Sequence, residues 1–160
     1  MNVGDLCNRK IVSVTASAPV YEAARLMCEQ RVGAVVVTAA AAEGAAAVGM
    51  LTDRDIVCAQ LDRAADLSQL RAADIMTGDP LVLNADIPVG EAIHRLHDRH
   101  VRRAPVIGSR GELVGVISFD DLLKHVAGNL RALAQLADAR MQTRGHASFA
   151  APSVNLGTSE

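Results

Sequence analysis

Aromatic residues are nearly absent from this chain of 160 residues. It has one tyrosine, two phenylalanines and no tryptophan, so a planar ligand would have to be held mainly between aliphatic side chains. Neither positive nor negative charge is in clear excess, because 16 lysines and arginines nearly balance 18 aspartates and glutamates. The formal net charge of −2 gives no electrostatic case for a nucleic-acid partner.

Long apolar segments and a disulfide framework are lacking as well. The apolar uncharged run at residues 32–42 is too short to cross a bilayer, so no membrane association is expected. Cys7, Cys28 and Cys58 are widely spaced and odd in number, and they fit neither a disulfide scaffold nor a zinc knuckle. We therefore expect a protein of the reducing cytoplasm, with Cys28 and Cys58 as small buried residues of helices.

One short stretch occurs twice and organises the rest of the chain. It reads VGMLTDRDI at residues 48–56 and VGVISFDDL at residues 114–122. In each copy an apolar strand ends at a hydroxyl residue, and an aspartate follows three positions later, where a helical pattern begins. The hydroxyl is a good N-cap, and the aspartate suits the positive end of the helix dipole. The pattern predicts a strand, a helix cap and a helix. A more specific hypothesis is that each junction of strand and helix, here called a corner, binds the hydroxyl and anionic groups of a ligand.

The likeness extends over two whole repeats. At an offset of 69 residues, positions 19–23 align with positions 88–92, and at an offset of 66 Asp55 aligns with Asp121. The offset changes within a turn, which in the first copy is the Ala-rich stretch from Thr38 to Ala47. A length change confined to a surface loop is typical of two copies of one fold.

Each repeat is predicted to follow the order β-α-β-β-α after a short opening turn or helix. The first helix begins at Pro19 or Pro88, which suits a first helical turn, and runs to about Arg31 or His100. Apolar residues recur at helical spacing along both segments. The strands expected before the repeated stretches are residues 11–14 and 34–38 in the first copy, and 81–83 and 104–107 in the second.

Neither repeat has enough core to stand alone, so we expect a pseudo-two-fold α+β fold in which the repeats pack across their sheets. The predicted divisions are a first repeat at 1–61, a linker at 62–73 and a second repeat at 74–127. A helical extension at 128–143 packs on its own domain or pairs with another subunit, and residues 144–160 are expected to be mobile. The apolar stripe of this helix consists of Leu122, Val126, Leu130, Leu133, Ala137 and Met141.

This two-copy pattern resembles the CBS (cystathionine-β-synthase type) domain pair, or Bateman module, of the stand-alone bacterial type. The resemblance covers residues 1 to about 127. It implies a regulatory module that binds AMP, ADP, ATP or S-adenosylmethionine between the repeats, needs no cofactor, forms a homodimer and relays a shape change to a regulated partner protein. The residues that carry it are Gly49, Thr52 and Asp55 in one copy and Gly115, Ser118 and Asp121 in the other, with residues 74–77 and 101–106.

The same resemblance assigns roles to individual positions. Asp55 and Asp121 match the acid that binds ribose, where hydrogen bonds to a charged group contribute roughly 1.5–3 kcal/mol each. Thr52 and Ser118 match the hydroxyl that meets phosphate beside a helix N-terminus. The other expected contacts are Arg54, Arg102 and Arg103 at the phosphate, and Ala23, Val32, Gly33, Ala34, Val101 and Ala104 around adenine.

Simpler interpretations stay open at this point. The acids and hydroxyls can serve as helix caps alone, and the chain can be a structural dimerisation or docking module with vestigial clefts. His94, His97 and His100 step around a helix by about 60° each, which favours a solvated face over a metal site. No phosphate-binding loop, dinucleotide fingerprint or nucleophile elbow is present, so we expect no enzyme.

Overall fold

The computed structural model describes residues 1–39, 45–63 and 67–145, apart from the side chains of residues 63 and 139–145. Met1–Leu123 form one compact unit, and a second unit begins at Lys124. In chain order the elements are α1 (Val3–Leu6), β1 (Ser13–Thr15), α2 (Val20–Gln30), β2 (Ala34–Thr38), β3 (Ala47–Thr52), α3 (Asp53–Arg63), α4 (Ala72–Ile75), β4 (Thr77–Gly78), β5 (Leu83–Asn84), α5 (Val89–Asp98), β6 (Arg103–Ile107), β7 (Leu113–Ser118) and α6 (Phe119–Gly145).

Two small sheets carry the two repeats. The first has the strand order β1-β2-β3-β4, with β1 parallel to β2 and the remaining pairs antiparallel. The second has the order β5-β6-β7, again with one parallel pair followed by an antiparallel hairpin. The predicted α+β fold with two like repeats is therefore confirmed. Residues 40–44, inside the Ala-rich turn between β2 and β3, lie outside the described residues.

Each repeat has its own apolar core, built on the central strands of its sheet. Val35, Val37 and Leu51 are at most 1% exposed in the first core. Leu83 and Ile117 are fully buried in the second. β-branched residues dominate β2, as expected for a central strand in which four consecutive residues are buried. The cores hold β3 and β7 in place, and these strands lead directly to the two repeated corners.

The opening segment of each repeat packs into the core of the other repeat. Val3 of α1 is fully buried in the second core, and its N–H donates to the carbonyl of Ile87 at 3.0 Å. In the opposite direction, Ala72 of α4 is fully buried in the first core, and its N–H donates to the carbonyl of Ala18 at 2.8 Å. Both repeats therefore complete their cores with residues that lie elsewhere in the sequence.

A backbone bridge follows each exchanged helix. β4 pairs with β3 in the first sheet. Its counterpart is the bridge between Asn8 and Val116, in which each N–H donates to the other residue's carbonyl, at 2.9 and 3.0 Å. Glycine allows this close approach, because a Cβ on Gly115 would lie 2.6 Å from Cys7 Sγ and 2.9 Å from Asn8 O. The two crossings thus obey the same pseudo-two-fold relation as the repeats.

The observed strands and helices end at somewhat different residues from those predicted. β1 covers Ser13–Thr15 and β5 covers Leu83–Asn84, because only these residues pair with β2 and β6; Ile11 and Leu81 lie outside the pairing. β4 was not predicted, since a two-residue strand is too short to show an alternating pattern. Pairing with a neighbour, rather than side-chain hydrophobicity, sets these strand ends.

The first helix of each repeat is shorter than predicted at both ends. Pro19 and Pro88 are extended N-cap residues that precede α2 and α5. Arg31 and His100 lie beyond the helix C-termini, with φ of 54° and 51°. This left-handed conformation cannot continue a helix, and it turns the chain toward the next strand in both repeats.

The cysteines differ from expectation. Cys28 and Cys58 are exposed, because they face away from the inner sides of α2 and α3, which present Ala23 and Ala59 to the core. Cys7 is the buried cysteine, and burial raises the pKa of its thiol. All three thiols are free.

The last helix confirms the predicted C-terminal extension, since α6 continues to Gly145. Leu122 differs from the rest of the predicted stripe, because it is 3% exposed and belongs to the second core. The side chain of Met141 and residues 146–160 lie outside the described part of the chain. Among the described helices none is long and apolar enough to cross a membrane. Besides Phe119 at its first position, the exposed large apolar side chains in the described part of α6 are Leu123, Val126, Leu130, Leu133 and Leu136.

Candidate functional site

A cleft of about 390 Å³ lies where the first repeated corner meets the second repeat. Its volume falls within the range of small-molecule sites, which is about 300–1,000 Å³. The first repeat contributes the end of β3 and the start of α3, and the second contributes the segments around β4 and before β6. The lining residues are Met50, Thr52, Asp53, Arg54, Thr77, Pro80, Leu81, His100, Val101, Arg102 and Arg103.

Three arginines line this cleft. Arg54, in the first turn of α3, forms no side-chain hydrogen bond or ion pair with the described residues. Arg102 lies over the ring of Phe119, 5.1 Å from its centroid, and its Nη2 is 3.8 Å from Asp120 Oδ1. Arg103 is half-buried and donates from Nη1 to the carbonyl of Gly33 at 3.3 Å. The arrangement offers positive charge from both repeats to one ligand.

The carbonyl of Gly33 joins the two repeats beside the cleft. It accepts from the N–H of Asp53 at 3.3 Å, which ties β2 to the start of α3, and it accepts from Arg103 of the second repeat. A Cβ at position 33 would lie 3.2 Å from Asp53 Oδ2 and 3.4 Å from Arg103 Nη2. Glycine at this position therefore lets a carboxylate and a guanidinium approach the same point of the backbone.

The first repeated corner is closed by reciprocal hydrogen bonds. Asp55 Oδ2 accepts from the N–H of Thr52 at 2.8 Å and from its hydroxyl at 2.7 Å. The hydroxyl oxygen in turn accepts from the N–H of Asp55 at 3.2 Å. This is the capping-box arrangement, which satisfies free donors at the start of α3. The predicted cap is confirmed.

The second corner has the same geometry. Asp121 Oδ2 accepts from the N–H of Ser118 at 3.0 Å and from its hydroxyl, and the N–H of Asp121 donates to Ser118 Oγ at 3.2 Å. Within the described part of the chain, the hydrogen bonds of both carboxylates use only Oδ2. Each corner therefore keeps its Oδ1 oxygen for another donor.

The structure brings together some of the predicted site residues and separates others. Those that line the cleft are Thr52, Arg54, Val101, Arg102 and Arg103. Gly33 and Ala34 are not in the lining but adjoin it, because the carbonyl of Gly33 accepts from Arg103 and Ala34 pairs with Thr52 across β2 and β3. The other predicted residues outside the cleft lining are Asp55, Ser118, Asp121, Ala23, Val32 and Ala104.

These outlying residues have identifiable positions. Asp55 lies behind Thr52 as its capping partner, while Ser118 and Asp121 form the corner of the other repeat. Val32 packs against the first core, and Ala23 and Ala104 are fully buried in the two cores. The roles assigned to these residues at ribose, phosphate and adenine remain predictions.

Several residues of the cleft lining show no signal in the sequence pattern. Asp53 stands inside the repeated motif, but its partner in the second repeat is Phe119, so repetition did not draw attention to it. The helical spacing predicts His100 on a solvated helix face, whereas the left-handed turn after α5 brings it to the cleft. Thr77, Pro80 and Leu81 belong to the segment that crosses between repeats, and only the exchange described above places them beside β3.

A smaller pocket of about 200 Å³ lies between α3 and α4. Its lining includes Asp55, Cys58 and Asp74. No group of three or more histidine, cysteine, aspartate or glutamate side chains suited to a metal ion is found within the described residues. His94, His97 and His100 are all exposed, with an edge-to-face contact between the last two.

The fold and the cleft together define a class of protein: a tandem β-α-β-β-α repeat pair with a small-molecule-sized cleft at the junction of its repeats. The sequence model of the CBS domain matches this chain twice, at residues 3–62 and 72–128. The chain belongs to the CBS-domain family and contains a pair of these domains.

Relatives of similar size support this assignment. The uncharacterised protein YlbB of Bacillus subtilis is 32% identical over 136 residues, which cover 85% of this chain and 89% of YlbB. Protein MK0525 of Methanopyrus kandleri is 27% identical over 124 residues, and the match spans 78% of this chain but 62% of that protein. The structure of the CBS domain protein PAE2072 of Pyrobaculum aerophilum complexed with AMP is similar, with a TM-score of 0.69 and 28% identity, over 80% of this chain and 99% of that one.

Proposed function

We propose that this protein is a regulatory module that binds an adenosine nucleotide in the cleft between its two CBS repeats. The observation that carries the proposal is the convergence of Arg54, Arg102 and Arg103 on a cavity of about 390 Å³. Guanidinium groups suit phosphate because their planar donors form charge-assisted bonds to its oxygens. Leu81 and Val101 supply an apolar wall, as expected for a base held without aromatic stacking.

A relative supports the adenosine class. PAE2072, which is 28% identical, is known in complex with AMP. We further propose that Oδ1 of Asp55 and of Asp121 receives ribose hydroxyls, because Oδ2 of each acid is engaged by its corner. Thr52, at the N-terminus of α3, would then be placed to meet a phosphate oxygen. S-adenosylmethionine remains an alternative ligand of the same class.

The signal would arise from movement at the junction of the repeats. Arg103 already crosses this junction to the carbonyl of Gly33, so a phosphate that takes this guanidinium would compete with an inter-repeat hydrogen bond. A ligand shifts an equilibrium between two shapes only by its differential affinity for them. We propose a non-enzymatic role in the cytosol, where the three free thiols stay reduced, with a regulated protein as the recipient of the signal.

Thermal unfolding with a ligand panel tests the proposal. AMP at 100 times its dissociation constant is expected to add about 2.7 kcal/mol to the free energy of unfolding. For a chain of this size the midpoint would rise by roughly 5–10 °C. The panel contains AMP, ADP, ATP, S-adenosylmethionine and the guanosine nucleotides as controls. Equal midpoints across the whole panel contradict the proposal, as does an unchanged AMP affinity in both Asp55→Ala and Asp121→Ala.

A second candidate function is a dimerisation module whose interaction element is α6. Leu123, Val126, Leu130, Leu133 and Leu136 on this helix are between 39% and 63% exposed. Leu123 and Leu130 are one heptad apart, as are Val126 and Leu133, which is the spacing of a two-stranded helical seam. We propose that this face pairs with the same face of a second copy, so that the module is a homodimer.

Truncation after Ala127 separates the two functions. The shortened chain is expected to be monomeric by analytical ultracentrifugation, because most of the exposed seam is removed, and to bind AMP with unchanged affinity. The variant Leu130→Asp in the full chain is the matched control, since it places a charge in the seam without shortening the helix. If the truncated chain remains dimeric, the dimer contact lies on a surface other than α6.

A further inference from the structure

The cleft is positively charged but carries one acid. With His100 neutral, its three guanidinium groups and the carboxylate of Asp53 give the lining a formal charge of +2. The neighbouring Asp120 lies 3.8 Å from Arg102, but the two side chains are 61% and 75% exposed, so solvent weakens that pairing. A phosphate monoester carries a charge of about −1.5 to −2 at pH 7. The charge of the lining therefore matches one phosphate group.

Asp53 stands close to the guanidinium that a phosphate would use. Its Oδ2 and Arg103 Nη2 both approach the Cα position of Gly33, where a Cβ would lie 3.2 and 3.4 Å from them. The two groups form no ion pair with each other. Asp53 Oδ1 accepts from the N–H of Arg54 at 2.8 Å. This hydrogen bond holds the carboxylate beside Arg54 and near Arg103.

The fold does not require an acid at this position. In the second repeat the equivalent residue is Phe119, which also begins its helix and also donates its N–H to the equivalent carbonyl, that of Arg102, at 2.8 Å. The capping of each corner is carried out by Asp55 or Asp121, three residues after the hydroxyl. Asp53 therefore adds negative charge to the cleft beyond what the strand, cap and helix need.

We infer that Asp53 is a specificity-determining residue, which makes the cleft select adenosine ligands with a single phosphate over those with two or three. The inference rests on the proposed function and deepens it. Three arginines attract the first phosphate, and each further phosphate brings additional negative charge toward a fixed carboxylate. Uncharged adenosine gains nothing from the arginines, so it binds more weakly than AMP as well.

Calorimetric titration without magnesium tests this inference on the full chain. Adenosine, inorganic phosphate, AMP, ADP and ATP are titrated into the wild type, Asp53→Asn and Asp86→Asn. Asp86→Asn is the matched control, because it makes the same change in net charge at an exposed residue outside the cleft lining. The wild type is expected to bind AMP most tightly. In Asp53→Asn, the ratio of ATP affinity to AMP affinity is expected to rise by about fivefold, because two unit charges about 4 Å apart in water interact by about 1 kcal/mol. In Asp86→Asn, the same ratio is expected to stay unchanged.

The outcomes separate this inference from the proposed function. If AMP binds but the ATP-to-AMP ratio is the same in Asp53→Asn and the wild type, or changes equally in Asp86→Asn, the specificity role is wrong and the nucleotide site stands. If inorganic phosphate binds as tightly as AMP, the cleft is an anion site without nucleoside selection, and the inference is overturned. If none of the adenosine compounds binds the wild type, both proposals fail together.

Discussion

Replacing Arg103 with alanine is expected to weaken AMP binding by about 10- to 100-fold. The guanidinium is half-buried at the junction of the repeats and lies in the cleft lining. A hydrogen bond to a charged group contributes roughly 1.5–3 kcal/mol, which corresponds to this range of affinity. The measurement is the dissociation constant of AMP by calorimetry at fixed ionic strength.

Two further variants give this prediction its control. Arg110→Ala removes the same charge from a side chain that is 87% exposed and lies outside the cleft lining, so it is expected to change the affinity less than twofold. Arg103→Lys keeps the charge but loses the planar fork, and it is expected to recover only part of the affinity. Equal effects of Arg103→Ala and Arg110→Ala would mean that the phosphate does not meet Arg103.

Gly115→Ala is expected to lower the free energy of unfolding by about 3 kcal/mol, as overpacked sites do. A Cβ at this position would lie 2.6 Å from Cys7 Sγ and 2.9 Å from the carbonyl oxygen of Asn8. The sulfur has little room to move because Cys7 is 9% exposed, and the carbonyl accepts the N–H of Val116 in the exchanged bridge. The midpoint of thermal unfolding should fall by roughly 6–12 °C.

Gly90→Ala is the matched control for the glycine substitution. Position 90 is exposed in the first turn of α5, and a Cβ there meets nothing within 4 Å. Alanine is a better helix former than glycine, so this variant is expected to be unchanged or more stable by up to about 1 kcal/mol. If both variants keep wild-type stability in urea unfolding, Cys7 and Asn8 do not pack closely against Gly115 of β7.

The repeat itself explains why much of the fold was predictable. Two copies of a strand, cap and helix show the same local pattern at matched positions, and the capping boxes at Asp55 and Asp121 formed as expected. The ends of β1 and β5 were not predictable, because pairing with another strand sets them. The exchange of α1 and α4 was also missed, since nothing in a local pattern says which of two similar cores a short helix joins.

The candidate site was predictable only in part for the same reason. Thr52, Arg54 and Arg103 were identified because they stand in or beside the repeated motifs. Asp53 and His100 were not, because the first differs between copies and the second depends on a left-handed residue after α5. Features that are repeated can be identified from one sequence, whereas features that distinguish the copies require knowledge of which segments meet.

The exchange of α1 and α4 affects the order in which the two cores can close while the chain is being synthesised. All residues of the first core lie between Val12 and Met76, and β4 ends at Gly78, so this core can close before the strands of the second repeat are synthesised. α1 is synthesised first, yet Val3 waits for Leu83 and Ile117 before it is covered. The earliest residues of the chain are therefore among the last to be buried, and the second core is complete only when the chain has reached Leu122.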